Sequence, residues 1–143
     1  MDQDAPSGEP NIFPELVYGD VTAAMKWLEQ AFGFRATEVT TGPDGEVYHA
    51  EMRLGPGTIM VEPATEDNEF GMRTPRSLGG VNQAVCVYVD DPDAHYERAR
   101  AAGAEILVEL RTTNYGARSY LARDLDGHLW TFSDYRPSGK SSG

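Results

Sequence analysis

Asp20-Val21-Thr22-Ala23-Ala24-Met25-Lys26-Trp27-Leu28-Glu29-Gln30-Ala31-Phe32-Gly33 and, about seventy residues on, Asp90-Asp91-Pro92-Asp93-Ala94-His95-Tyr96-Glu97-Arg98-Ala99-Arg100-Ala101-Ala102-Gly103 describe the same object twice. In the first stretch Val21, Ala24, Met25, Leu28, Ala31 and Phe32 recur at spacings of three and four, which is one apolar stripe along a helix. In the second, Tyr96, Ala99 and Ala102 supply the stripe, and Pro92 follows Asp91 at the favoured first helical position. An aspartate opens each helix by capping free backbone N–H groups, and a glycine closes it by accepting the left-handed conformation.

The segments around the helices repeat as well. Ile12 to Tyr18 reads as a strand leading into Asp20, and Asn82 to Val89 as a strand leading into Asp91. After Gly33 come Phe34 to Thr41, the turn Gly42-Pro43-Asp44-Gly45, Glu46 to Leu54, the turn Gly55-Pro56-Gly57, and Thr58 to Glu62. After Gly103 come Ala104 to Thr112, Gly116 to Asp124, the turn Asp126-Gly127, and His128 to Asp134. Gly57 and Gly127 fall at matching places. The unit is βαβββ, and its repetition predicts an α+β fold of two modules, with any function lying between them.

The boundaries follow from composition. Residues 1–10 and 136–143 are rich in Pro, Ser, Gly and charge and are expected to be mobile tails. Residues 11–135 then form a single domain, with module one at 11–62, a linker loop at 63–81 and module two at 82–135. A chain of 143 residues fits that reading, because it is long enough to bury one substantial core.

Charge narrows the partners. A net charge of −11 leaves no concentration of Lys and Arg with which to grip phosphates, so nucleic acid and anionic membranes are not expected partners. Met1 to Pro10 has neither the basic start nor the apolar stretch of a signal peptide, and no apolar run approaches the ~20 residues that span a bilayer. The expectation is a soluble cytoplasmic protein. Cys86, the single cysteine, sits in the apolar run Ala84 to Val89 and is expected to be a buried, inert thiol.

Three pieces of the chain resemble the vicinal oxygen chelate superfamily, the group that includes glyoxalase I, extradiol dioxygenases, fosfomycin-modifying enzymes and bleomycin-resistance proteins. They are Gly19-Asp20 leading to Ala31-Phe32-Gly33-Phe34; Val89-Asp90-Asp91 leading to Ala102-Gly103-Ala104; and Tyr115-Gly116-Ala117-Arg118-Ser119-Tyr120 with Arg123-Asp124-Leu125-Asp126-Gly127-His128-Leu129-Trp130. The resemblance spans roughly residues 11–135. It implies two βαβββ modules whose sheets curl into an open cup, helices outside and ligand inside, and it implies a homodimer, since members often pair modules between chains.

It also implies where metal-using members carry ligands, on inward positions of the first and last strand of each module. Counted from the shared glycines and aspartates, those positions here are Phe13, Val61, Gln83 or Ala84, and Thr131. Glu62 adjoins Val61, so a shift of one residue would add one carboxylate. An apolar pair and a hydroxyl supply no shell for a divalent transition ion, and no metal or other cofactor is expected.

A metal-free cup must work through its other inward side chains. Glu46 to Leu54 alternates, with Tyr48, Ala50, Met52 and Leu54 on an apolar face that a helix would cover, and His49, Glu51 and Arg53 on the face left to the cup. His49 can exchange a proton near neutrality, and Glu51 lies two residues away on the same face, so these two are the candidate acid–base pair. Phe13, Glu15, Val61 and Thr131 are further candidate lining residues. Arg118 and Tyr120 share a face of the seventh strand, where the guanidinium could hold an anionic group. Parity that aims Leu129, Thr131 and Ser133 inward sends Trp130 and Phe132 into the core. His95, placed on the solvated side of its helix, and His128, after a turn glycine, are expected to be structural.

The function expected is that of a glyoxalase/bleomycin-resistance-like protein holding a small organic molecule, an antibiotic among the candidates, in a metal-free cup. Three readings stand beside it. One is a cofactor-free lyase or isomerase using His49 and Glu51; another is a metal-dependent lyase or dioxygenase, which needs ligands the chain does not display; the third is a protein whose cup has no small ligand and which acts through dimer contacts.

Overall fold

The computed structural model describes residues 8–137. Both tails extend beyond this range, so the expectation of mobility for 1–7 and 138–143 lies outside the described residues. The elements run β1 (Glu15–Tyr18), α1 (Val21–Phe32), β2 (Arg35–Thr41), β3 (Val47–Leu54), β4 (Gly57–Pro63), α2 (Pro75–Leu78), β5 (Ala84–Tyr88), α3 (Pro92–Ala101), β6 (Glu105–Thr112), β7 (Arg118–Arg123) and β8 (Leu129–Ser133). This is βαβββ twice, as the repeat predicts. The short helix α2, capped by the Thr74 hydroxyl on Ser77 N–H, interrupts a segment whose sequence shows no period.

Local chemistry explains the helices. Asp20 accepts from Ala23 N–H at 3.0 Å and Asp91 from Ala94 N–H at 3.1 Å, so each satisfies a donor that the first helical turn cannot. Gly33 ends α1 at φ 85°, a left-handed conformation that a side chain resists.

Each module builds one four-stranded mixed sheet, in the order β1-β4-β3-β2 and β5-β8-β7-β6. In both, the first strand runs parallel to the last and the others are antiparallel. Each helix covers one face of its own sheet, and α1 and α3 pack against each other, so the modules join through their helices rather than through a continuous sheet. The shared core holds Leu28, Phe32 and Val61 from module one with Ala99, Tyr120, Trp130 and Phe132 from module two. Trp130 and Phe132 are completely buried, on the face the alternation assigns them.

A polar joint also ties the modules. Asp124, only 2% exposed, accepts from the Tyr18 hydroxyl at 2.6 Å and the Trp130 indole N–H at 3.0 Å through one oxygen. Its other oxygen accepts from the backbone N–H of Asp126 and of His128, each at 3.0 Å. His128 Nε2 donates to Val17 O at 2.8 Å, and Asp126 accepts from Gly19 N–H at 2.8 Å. His128 is therefore structural, and the turn that carries the clearest family-like sequence works as a clamp on the end of β1.

The two hairpins differ by one residue, which matters for every face assignment. Leu54 pairs with Gly57 across the first turn, whereas Asp124 bonds to His128 across the second. Counting from matched glycines therefore slips by one in the following strand.

Candidate functional site

Period-two alternation in β3 sends Ala50 and Met52 into the helix-covered core and leaves His49, Glu51 and Arg53 on the opposite, half-exposed face. Ala50 pairs with Val61 and Met52 with Ile59, so Ile59 and Val61 share the core side. Val61 is completely buried there, which corrects its placement as a cup-lining residue. The extra residue in the second hairpin is the cause, since it displaced the count by one. Met60 and Glu62 take the open face instead.

The substitution of Glu62 for Val61 changes the chemistry of the face. His49 Nδ1 lies 3.2 Å from a Glu62 carboxylate oxygen, and His49 Nε2 lies 3.5 Å from Glu51. An imidazole between two carboxylates has one ring nitrogen oriented by Glu62 and the other directed toward Glu51 and the open side. Arg53 extends the same row, and its Nε is buried without a hydrogen-bond partner in the protein. Such a donor is uncommon in a folded chain. Tyr48, assigned by alternation to the apolar face, is 53% exposed because α1 does not reach the start of β3.

Glu15 opens β1 opposite Met60 and is exposed, and Phe13 precedes the strand, so the first strand is shorter than Ile12 to Tyr18. On the second sheet the middle of the open face is largely apolar, with Arg123 and Glu105 paired at one end. Thr131 stands there between Cys86 and Leu121, with Leu129 next along β8. Cys86 is exposed on this face, correcting its assignment to the core; partial burial raises its thiol pKa.

Arg118 and Tyr120 do share a face, but it is the helix side. Tyr120 pairs with Phe132 in the core and is 1% exposed, and Arg118 forms a two-pronged contact with Asp93 of α3, at 3.1 and 2.9 Å. That guanidinium holds the Asp93 carboxyl below its usual range. Neither residue reaches an open face, so their placement as ligand contacts is corrected. Strand parity alone does not say which side the helix takes.

His95 belongs to the same buried cluster, not to the solvated side of α3. Its Nε2 donates to Phe32 O at 2.8 Å, which leaves Nδ1 to accept from the Tyr120 hydroxyl at 2.6 Å. Burial lowers its pKa, with Arg98 adding to the effect and the Phe32 contact opposing it. The structural role expected for it stands, but as a bridge between modules.

The donor set does not suit a divalent transition metal. Glu62 is the one carboxylate near the positions counted for a ligand shell, beside Phe13, Ala84 and Thr131. Among the described residues no group of three or more His, Cys, Asp or Glu side chains is arranged to hold an ion. Nor is any described helix long and apolar enough to cross a membrane.

Comparison with known proteins agrees with this fold. The profile of the family described as "Glyoxalase/Bleomycin resistance protein/Dioxygenase superfamily" matches residues 13–132. An uncharacterised protein of Mycobacterium bovis is 33% identical over 124 residues, 86% of this chain and 82% of that protein. Among solved structures, TioX from Micromonospora sp. ML1 is 35% identical with a TM-score of 0.73, covering 89% of this chain and 99% of that one. A family member from Burkholderia phytofirmans PsJN shares the fold at 19% identity and a TM-score of 0.66, over 85% of this chain and 94% of its own.

Proposed function

We propose, for a chain that belongs to the glyoxalase/bleomycin resistance protein/dioxygenase superfamily, that it binds a small organic molecule between the polar open face of one module and an apolar open face like that of the other. The observation that carries this reading is Arg53, whose buried Nε has no partner in the protein and which stands in one row with His49 and Glu51. A fixed, unpaired donor beside an imidazole–carboxylate pair suits a ligand with an acceptor at one end and a group that hydrogen-bonds to His49. Leu121, Leu129 and Thr131 offer the apolar counterpart on the second sheet. An antibiotic is one molecule of that description.

The binding unit of this proposal is a cytoplasmic homodimer. In one chain no strand pairing joins the two described sheets, and β1 and β5 each end a sheet. A second copy would bring its apolar face opposite the His49 face and complete two cups.

The enzymatic alternative is supported by the Glu62 contact. With Glu62 accepting from Nδ1–H, His49 presents Nε2 as a proton acceptor, the arrangement of a general base held by a carboxylate. Native mass spectrometry of protein purified without denaturant tests both readings: binding gives an adduct that leaves unchanged on denaturation, and proton-transfer chemistry gives a rearranged product. Replacing His49 by Ala is expected to weaken binding by roughly 0.5–3 kcal/mol, the span from a neutral to a charge-assisted hydrogen bond. Absence of any adduct, together with a monomer in light scattering, would refute the proposal.

A further inference from the structure

The two modules meet at two joints related by the internal repeat, and the joints are filled differently. Tyr18 stands two residues before the N-cap Asp20, and Val89 two residues before the N-cap Asp91. Ala50 with Val61 corresponds to Tyr120 with Phe132, so Leu54 matches Asp124, Gly57 matches His128 and Ile59 matches Trp130. One joint is therefore packed with a phenol, an indole, an imidazole and the carboxylate that links them. At the other, the corresponding residues are Val89, Leu54, Gly57 and Ile59.

All four of these line a groove of about 760 Å³, together with Val85, Val87, Phe34 and Ala94. That volume lies within the range of roughly 300–1,000 Å³ typical of small-molecule sites. The groove runs along the edge strand β5, between α3 and the turn that joins β3 to β4, and takes in Cys86 and Tyr88 as well as helix-side residues; His49, Glu51 and Glu62 are not among its walls. Its charges offer no grip for an ion. Asp91 is committed to its cap, and Arg98 donates to Gln30 O at 3.0 Å and Glu29 O at 2.7 Å. Arg136 lies over the Tyr88 ring, 3.9 Å from its centroid, and Asp90, of opposite charge, also lines the groove. The segments outside the described residues do not suit an apolar groove either, since Ser138-Gly139-Lys140-Ser141-Ser142-Gly143 has no apolar side chain and residues 1–7 are mostly polar.

We propose that this groove is a second binding site, separate from the His49 face, for an uncharged aromatic molecule of indole size or larger. The argument is one of shape and polarity: the repeat-related position accommodates two aromatic rings and an imidazole, with the Tyr18 and His128 rings 4.8 Å apart. At the groove Val89, Ile59 and Gly57 stand where the other joint has the rings of Tyr18, Trp130 and His128, and the space those rings would take is open.

The test is a titration of the full chain, methyl-labelled at Val, Leu and Ile, with indole and with 4-methylphenol, followed by NMR. The expected result is saturable shifts at Val85, Val87, Val89, Leu54 and Ile59, with Leu121 and Leu129 on the open face unmoved. Val89→Phe, or Leu54→Phe if that variant misfolds, is expected to fill the space and weaken binding by about tenfold. Shifts confined to Leu121 and Leu129, shifts that do not saturate, or contacts from a second copy already covering Val87 and Val89 would each overturn the proposal.

Discussion

His95 shows how neighbours set the chemistry of one side chain. Phe32 O can only accept, so Nε2 must carry a proton, and Tyr120 must donate to Nδ1. The 4.1 Å approach of the Phe132 ring excludes water from that side. The other ionisable groups packed around it are Arg98 and Tyr96 of its own helix and Tyr120 of β7. The folded state holds His95 neutral, with a pKa depressed from about 6.5. Its contribution to stability is therefore complete above that value and is lost as pH falls toward the folded pKa. In urea titrations, stability should fall between neutral pH and pH 5 more steeply for wild type than for His95→Gln. Parallel curves would show that His95 is not held neutral. The sequence showed a histidine near a helix start; its partners lie on α1 and β7, and neither is visible in local spacing.

At the scale of elements, alternation and capping decided most of the outcome. In β8 the alternation is strict, so that Trp130 and Phe132 go to the helix and Leu129 and Thr131 to the open side. Phe32, Phe34 and Phe132 all contact the Trp130 ring. Trp130→Ala should then cost about 3–5 kcal/mol, the range for emptying a large aromatic site in a packed core. A variant as stable as wild type in chemical denaturation would mean that β8 is wrongly faced. Alternation is blind to an inserted residue, however. The one-residue difference between the 54–57 and 124–128 turns moved the inferred position from Met60, which matches Thr131, to Val61, and so hid that Glu62 shares the open face with His49.

Across the whole molecule, the asymmetry between joints is the main departure from the repeat. One joint is closed by Asp124, whose two oxygens serve four donors, among them Tyr18 of the other module. Gly127 lets the adjoining chain close in, because a Cβ there would meet the Arg76 nitrogen at 3.2 Å and lie at φ 94°. Asp124→Ala should destabilise the protein by roughly 2–5 kcal/mol, since it strands a buried hydroxyl and a buried indole N–H. A change under about 1 kcal/mol in urea unfolding, at unchanged slope, would mean that the joint contributes little to folding. The second joint has aliphatic side chains in place of this network, and its groove is the result.

The sequence by itself determined the βαβββ repeat, both caps, the apolar stripe of α1, the core placement of Trp130 and Phe132, and the row of His49, Glu51 and Arg53. Each of these is read from neighbours along the chain, where spacing is set by helical and strand periods. Only the tertiary structure decided which side of β7 the helix covers, and so withdrew Arg118 and Tyr120 from any ligand-facing role. It also set Glu62 against His49, exposed Cys86, half-buried His95 between the modules and joined Tyr18 to Asp124. Those outcomes depend on contacts between residues far apart in the chain, and a parity of two says which residues share a face without saying what that face meets.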